Sequence, residues 1–141
     1  MILYINTTDA EKVTLALGRA GKLAAKKEFK AKYRQSETLL PAIYLLLTKN
    51  KIKLSDLRGI VIVNGPGPFT ATRIGVTTAN ALAYGLKIKI AGLRAGEFKS
   101  IEEMVAKGWV KLKKVKLKNI VEPVYDREPN ITIGKYKYMR N

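Results

Sequence analysis

Hydrophobic and polar positions divide the first ninety residues into clear segments. Ile2-Leu3-Tyr4-Ile5-Asn6 is an apolar run of strand length. Residues 12–18, Lys-Val-Thr-Leu-Ala-Leu-Gly, alternate in part and stop at Gly18. After the turn Arg19-Ala20-Gly21-Lys22, the pattern resumes from Leu23 to Lys30. Three antiparallel strands in a meander are expected. A helix follows over Leu39–Lys49, capped by Ser36 or Thr38. Pro41 is tolerated only in a first turn, which favours a start or a kink near Thr38. Residues 59–64, Gly-Ile-Val-Ile-Val-Asn, form a continuous β-branched run, as in a strand buried on both faces. Past Gly65-Pro66-Gly67-Pro68, a second helix is expected from Thr70 to Tyr84 with Gly85 as its C′ residue, then a fifth strand over 87–91.

Two strands flanking a helix form a right-handed βαβ unit. Three strands, helix, strand, helix, strand is the order of a ribonuclease-H-like lobe, an α/β fold with a mixed five-stranded sheet and two main helices. Beyond residue 93 the pattern weakens. A short helix is expected over Ser100–Lys107, capped by Ser100, with Glu102 and Glu103 suited to its dipole. The run Lys111-Leu-Lys-Lys-Val-Lys-Leu-Lys118 is expected as one exposed edge strand. Glu122–Asn130 holds two prolines and is expected to be extended, and the last residues loose.

The two helices carry more apolar surface than one sheet can cover. Leu39–Leu47 contains no charge, and in the second helix Arg73 is the one charged side chain. A helix that is apolar all round is buried all round, so a further layer is required. The lysine-rich residues after 93 make a poor lid, which points to another protein. Gly75 and Ala79, four apart, are expected to form a flat spot where a partner helix approaches.

Composition narrows the chemistry. With no cysteine, disulfides and thiolate metal sites are excluded, and with no histidine the commonest general base and zinc ligand are missing. The N-terminus lacks the basic start and apolar length of a signal peptide, and no run approaches the ~20 apolar residues of a membrane span. A cytoplasmic protein is expected. Net charge is +16, compatible with nucleic-acid binding and equally with a lysine-rich, heat-adapted proteome. The glycine–proline loop precedes a helix, where phosphate loops sit, yet Pro66 and Pro68 carry no N–H to offer an anion. A stiff loop that sets the helix direction is the more economical reading.

Four segments resemble one family. Gly65-Pro-Gly-Pro-Phe-Thr-Ala-Thr-Arg-Ile-Gly75 is similar to the signature GPGSFTGLRIG, and Arg34-Gln-Ser-Glu-Thr-Leu-Leu-Pro-Ala-Ile43 to the stretch HSExLLPxI. Ile2–Thr8 resembles the strand LxIDTS, and Tyr125-Asp-Arg-Glu-Pro129 a motif near the C-terminal end. The family is TsaB (YeaZ), of the actin-like ATPase superfamily. The resemblance implies a non-catalytic subunit that pairs with the catalytic subunit TsaD in making threonylcarbamoyl-adenosine in tRNA, through its two N-lobe helices. It places Leu39, Leu40, Ile43, Tyr44, Arg73, Ile74 and Thr77 at or near the partner surface. A homodimer through the same helices is the alternative assembly, and a TsaE-type ATPase a further partner. No cofactor is expected on this chain alone, with ATP or ADP only in the complex.

The departures are specific. Asn6 stands for the usual Asp, Gln35 for His, Pro68 for Ser, Ala71 for Gly and Thr72 for Leu. Residues 1–93 are expected as the N-terminal lobe and 94–141 as a basic remnant of the second lobe with an extended tail, too short to close a nucleotide cleft.

Two further functions are weighed on the residues. A basic tRNA-binding module would use Lys111, Lys113, Lys114, Lys116 and Lys118, beside the bases of Lys22–Arg34, with Trp109 and Tyr33 for stacking. Against it, lysines on a strand edge also serve to prevent aggregation. A metallopeptidase would need a metal held by scattered carboxylates alone and is nearly excluded.

Overall fold

The structure, a computed structural model, describes residues 1–126. Strands β1 (Ile2–Asn6), β2 (Lys12–Arg19), β3 (Lys22–Lys30), β4 (Gly59–Gly65) and β5 (Lys89–Arg94) form one sheet in the order β3-β2-β1-β4-β5. The meander β1–β2–β3 is antiparallel, and β1, β4 and β5 are mutually parallel. Helices α1 (Gln35–Lys49) and α2 (Phe69–Leu86) cover one face, and α3 (Ile101–Lys114) covers the other.

Side-chain alternation assigns the two faces. Leu3, Ile5, Leu15, Ile60 and Ile62 point to α1 and α2, while Tyr4, Ala16, Val61 and Val63 point to α3. Ile60 to Val63 are all fully buried, as the β-branched run requires. Each large apolar side chain so buried contributes about 1.5–3 kcal/mol. Tyr4 lies wholly in the α3 layer, its hydroxyl donating to the Val105 carbonyl at 2.9 Å.

Several boundaries differ from those the sequence suggests. Helix α1 begins at Gln35, not near Thr38, and holds Pro41 in its interior. The Thr38 hydroxyl donates to the Arg34 carbonyl at 2.8 Å, and Gln35, buried, donates to the Ala10 carbonyl, which together fix the early start. Helix α2 runs through Gly85 to Leu86, and Lys87 takes the left-handed cap at φ 58°. The Ile88 N–H closes that cap on the Ala83 carbonyl at 3.0 Å while its side chain packs on the core. The fifth strand accordingly starts two residues later than 87.

Residues 111–118 are not an edge strand. Helix α3 continues to Lys114, because Leu112 prolongs the buried series Met104, Val105 and Gly108 at helical spacing and packs on Gly59. The expected Ser100 cap is present: its Oγ accepts from the Glu103 N–H at 3.1 Å. Packing runs on without a break across residue 93, since α3 shares a core cluster with β1, β4 and β5.

After α3 the chain crosses β5 and reaches the start of α2. Asn80 makes a two-bond clasp with the Val121 backbone, and Asn64 donates to the Glu122 carbonyl at 2.9 Å. The Val124 and Asp126 N–H groups donate to the Asn64 and Gly67 carbonyls at 2.7 and 3.0 Å. The described part of the expected extended segment is therefore a strap on the glycine–proline loop. Residues 127–130 of that segment, with most of the motif beginning at Tyr125, lie outside the described residues.

Candidate partner-docking surface

Helices α1 and α2 lie side by side on one face of the sheet. In α1 the buried positions are Leu39, Ala42, Ile43, Leu46 and Leu47, a stripe at helical spacing against the sheet. Leu40, Tyr44 and Leu45 face away and are 53%, 65% and 52% exposed. In α2 the outward positions run Thr70, Arg73, Thr77, Ala81 and Tyr84. Between Leu40 and Leu45 of α1 and Thr70 and Tyr84 of α2 the outer layer is thus unusually apolar for a helix surface, with Arg73 as its one charge beside two tyrosines, two leucines, a proline and small residues.

The seven positions assigned to the partner surface separate. Leu40, Tyr44, Arg73 and Thr77 are exposed on it, and Ile74 is half-buried between the helices and the core. Leu39 and Ile43 do not reach it: they are 1% and 2% exposed because their turn of α1 faces the sheet. The flat spot at Gly75 and Ala79 is likewise turned inward. A Cβ at Gly75 would overlap the Thr7 Oγ1, and Ala79 is fully buried, so the small residues let α2 approach the end of β1 within this chain. Thr7 secures that approach by donating to the Ala71 carbonyl at 2.7 Å.

The glycine–proline loop sets where α2 starts. Gly65 has φ 121° and lies against the Val124 carbonyl, where any side chain would collide with the strap. Gly67 is held against Thr8 and Thr72. Phe69 stacks on Tyr125 with ring centroids 4.5 Å apart, and the Arg73 guanidinium sits 6.0 Å from the Phe69 ring. The strap therefore extends the outer surface of α2 at its N-terminal end. Its involvement was not legible beforehand, because Asn64, Asn80 and Asn119 act through long-range side-chain bonds that leave no periodic signal.

On the opposite side, Asn6 ends β1 by accepting from the N–H and hydroxyl of Thr8 at 2.9 and 2.7 Å. It borders a shallow cavity of about 350 Å³ with Lys12, Thr14, Glu28 and the Ser100 end of α3. Among the described residues no three carboxylates gather as metal ligands, and no helix is long and apolar enough to cross a membrane.

The five lysines assigned to RNA are all exposed, on the last turn of α3 and the turn beyond it. Lys111 is engaged with Glu97 at 3.2 Å. The Arg94 N–H, then Lys111, hold the Glu97 carboxyl below the usual carboxylate range against the opposing effect of partial burial. Lys113 lies 5.5 Å from the Trp109 ring.

A family model described as TsaD: tRNA N6-adenosine threonylcarbamoyltransferase matches residues 28–108. The tRNA threonylcarbamoyladenosine biosynthesis protein TsaB of Bacillus subtilis (strain 168) is 31% identical over 138 residues, 97% of this chain and 55% of that protein. The protein of the same name from Escherichia coli (strain K12) is 32% identical over 92 residues, 65% of this chain and 39% of its own length. Among solved structures, YeaZ from Pseudomonas aeruginosa superposes with a TM-score of 0.61 at 26% identity, covering 66% of this chain and 43% of that one. The chain spans about half the length of the curated relatives it matches. With a ribonuclease-H-like, actin-like ATPase lobe and these matches along it, the chain belongs to the TsaD family and, within it, to the TsaB (YeaZ) type.

Proposed function

We propose that this chain is a non-catalytic scaffold subunit in threonylcarbamoyl-adenosine modification of tRNA, docking on the catalytic subunit TsaD through the outer layer of α1 and α2. The observation that carries the reading is the exposure of Leu40, Tyr44 and Leu45 on a helix whose other face is already satisfied by the core. Burial of such side chains contributes roughly 25 cal/mol per Å² of apolar surface, and contact centred on tyrosine and arginine suits a hot spot. Arg73 and Tyr44 supply those anchors, with Ile74 and Thr77 beside them. The same surface serves a homodimer of the free chain. ATP or ADP and a TsaE-type ATPase belong to the assembled complex, in a cytoplasmic setting.

Light scattering of the chain mixed with TsaD from the same organism tests this. A one-to-one complex is expected, abolished by the double variant Leu40→Asp, Tyr44→Asp, whose substitutions are at the surface. The isolated chain is expected to hydrolyse no ATP above blank after repurification. Failure of the wild type to bind TsaD, or ATP turnover that survives repurification, overturns the reading.

A further inference from the structure

The carboxylates are gathered at one end of the sheet, where bases such as Lys12, Lys32 and Arg34 pair with them, and the other end is left with bases almost alone. At the end where β1, β4 and β5 finish, Asp9, Glu11 and Glu28 surround the start of β2. Glu37, Glu102 and Glu103 occupy the first turns of α1 and α3, which begin at that same end. Glu97 follows β5, and Glu122 and Asp126 are tied to Asn64 and Gly67. Among the described residues, Asp56 is the one carboxylate at the other end, and it is occupied in accepting the Lys53 N–H at 2.8 Å.

Bases fill that other end. The Met1 carbonyl accepts from the Arg58 N–H at 2.9 Å, and Arg19 ends β2 beside Ile2. Burial first, then the charges of Arg19 and Arg58, lower the pKa of the Met1 amino group, an independent sign that these cations crowd together. Lys22 opens β3 just after the Ala20–Gly21 turn, against which Trp109 packs, and Lys89 opens β5 opposite Gly59. All three helices end here, with Lys49, Lys87, Lys113 and Lys114. Lys116 and Lys118 follow, held near β5 by the Asn119 side chain on the Ile90 carbonyl at 2.8 Å.

Compensation of helix dipoles accounts for the lysines at helix ends. It does not account for Arg19, Lys22, Arg58, Lys116 and Lys118, none of which is in a helix. We propose that this basic end of the sheet is a docking surface for the phosphate backbone of an RNA. Five strands at about 4.8 Å spacing give a rim roughly 20 Å wide. At one phosphate per about 1.7 Å of duplex axis with both strands counted, such a rim spans about a dozen phosphates, of which roughly half face it. The cations emerge from the ends of strands and helices, not along the flanks of one apolar helix face, as a membrane-surface helix requires. The choice of RNA over another polyanion rests on reading the chain as part of a tRNA-modification system; the docking surface of α1 and α2 is on a different side.

The test is fluorescence anisotropy of the full chain with a transcribed tRNA, between about 50 and about 200 mM salt. A DNA duplex and vesicles containing phosphatidylserine are titrated beside it. The triple variant Lys113→Gln, Lys114→Gln, Lys116→Gln is compared with Lys30→Gln, Lys32→Gln, Lys99→Gln, which removes equal charge at the acidic end. Tight tRNA binding with a steep negative salt slope is expected, the first triple losing about two units of slope and roughly tenfold in affinity, and the second little. Leu40→Asp, Tyr44→Asp is expected to bind tRNA as the wild type does, so failure at the TsaD surface and failure here are read separately. If the first triple does not fold, Lys116→Gln alone, off the helix, is expected to lose somewhat less than one unit of slope. Equal losses from both triples, salt-independent binding, or equal or tighter binding to DNA or vesicles overturns the proposal.

Discussion

At the residue scale, small side chains decide how closely the layers approach. Gly75 has no room for a methyl group because Thr7 Oγ1 occupies the space. Gly75→Ala is expected to lower stability by about 1–3 kcal/mol, seen as a shifted denaturant midpoint with an unchanged m-value. Tyr4 offers a pH test. Burial pushes its phenol up to about 12, so the folded state favours the neutral form. That contribution is complete below the ordinary phenol pKa near 10 and is lost as pH rises through about 12. Melting temperature is therefore expected to fall between about pH 10 and 12 more steeply in the wild type than in Tyr4→Phe. The inward direction of Gly75 was not legible in the sequence. A glycine four residues from an alanine suits any close approach, and only the position of Thr7 shows which one.

At the element scale, the strands were legible and the helix ends less so. Ile60–Val63 carries its own signature, a run of β-branched residues with no polar side. The C-terminal part of α3 did not, because five lysines surround Leu112, Val115 and Leu117, and the alternation from Val115 to Lys118 suits a strand edge. Its extension to Lys114 depends on Leu112 meeting Gly59, a contact fifty-three positions distant in sequence. The N-terminal end of α3 was read correctly, since the Ser100 cap is a local signal. Ser100→Ala is expected to cost about 1 kcal/mol in a thermal or denaturant unfolding series. Proline inside α1 was misread as a start signal because the anchors upstream, Gln35 on Ala10 and Thr38 on Arg34, are invisible to a rule about position.

At the scale of the whole molecule, three layers leave one outer face apolar and one end of the sheet basic. The two features are separable by mutation. Leu40→Asp with Tyr44→Asp removes surface contacts only, so stability is expected to stay within about 1 kcal/mol while association is lost. Leu40, Tyr44, Arg73 and Thr77, which the resemblance assigned to a partner surface, are exposed on the outer layer. Leu39 and Ile43 were drawn into the core because a helix with apolar residues all round does not declare which face the sheet takes. The strap from Asn119 to Asp126, with Tyr125 on Phe69, adds to the same side by contacts that span 29 or more positions.

The sequence by itself determined the five strands, the two main helices, their order and the family, because each rests on local pattern or on a contiguous motif. Hydrophobic period, β-branching and the Gly65–Gly75 segment are all properties of neighbouring residues. The tertiary structure decided which face of α1 is outward, that Gly75 serves this chain's own core, and that bases from eight separate strand, turn and helix ends share one rim. Those depend on which elements lie side by side, and distances across the fold are set by packing, not by separation along the chain.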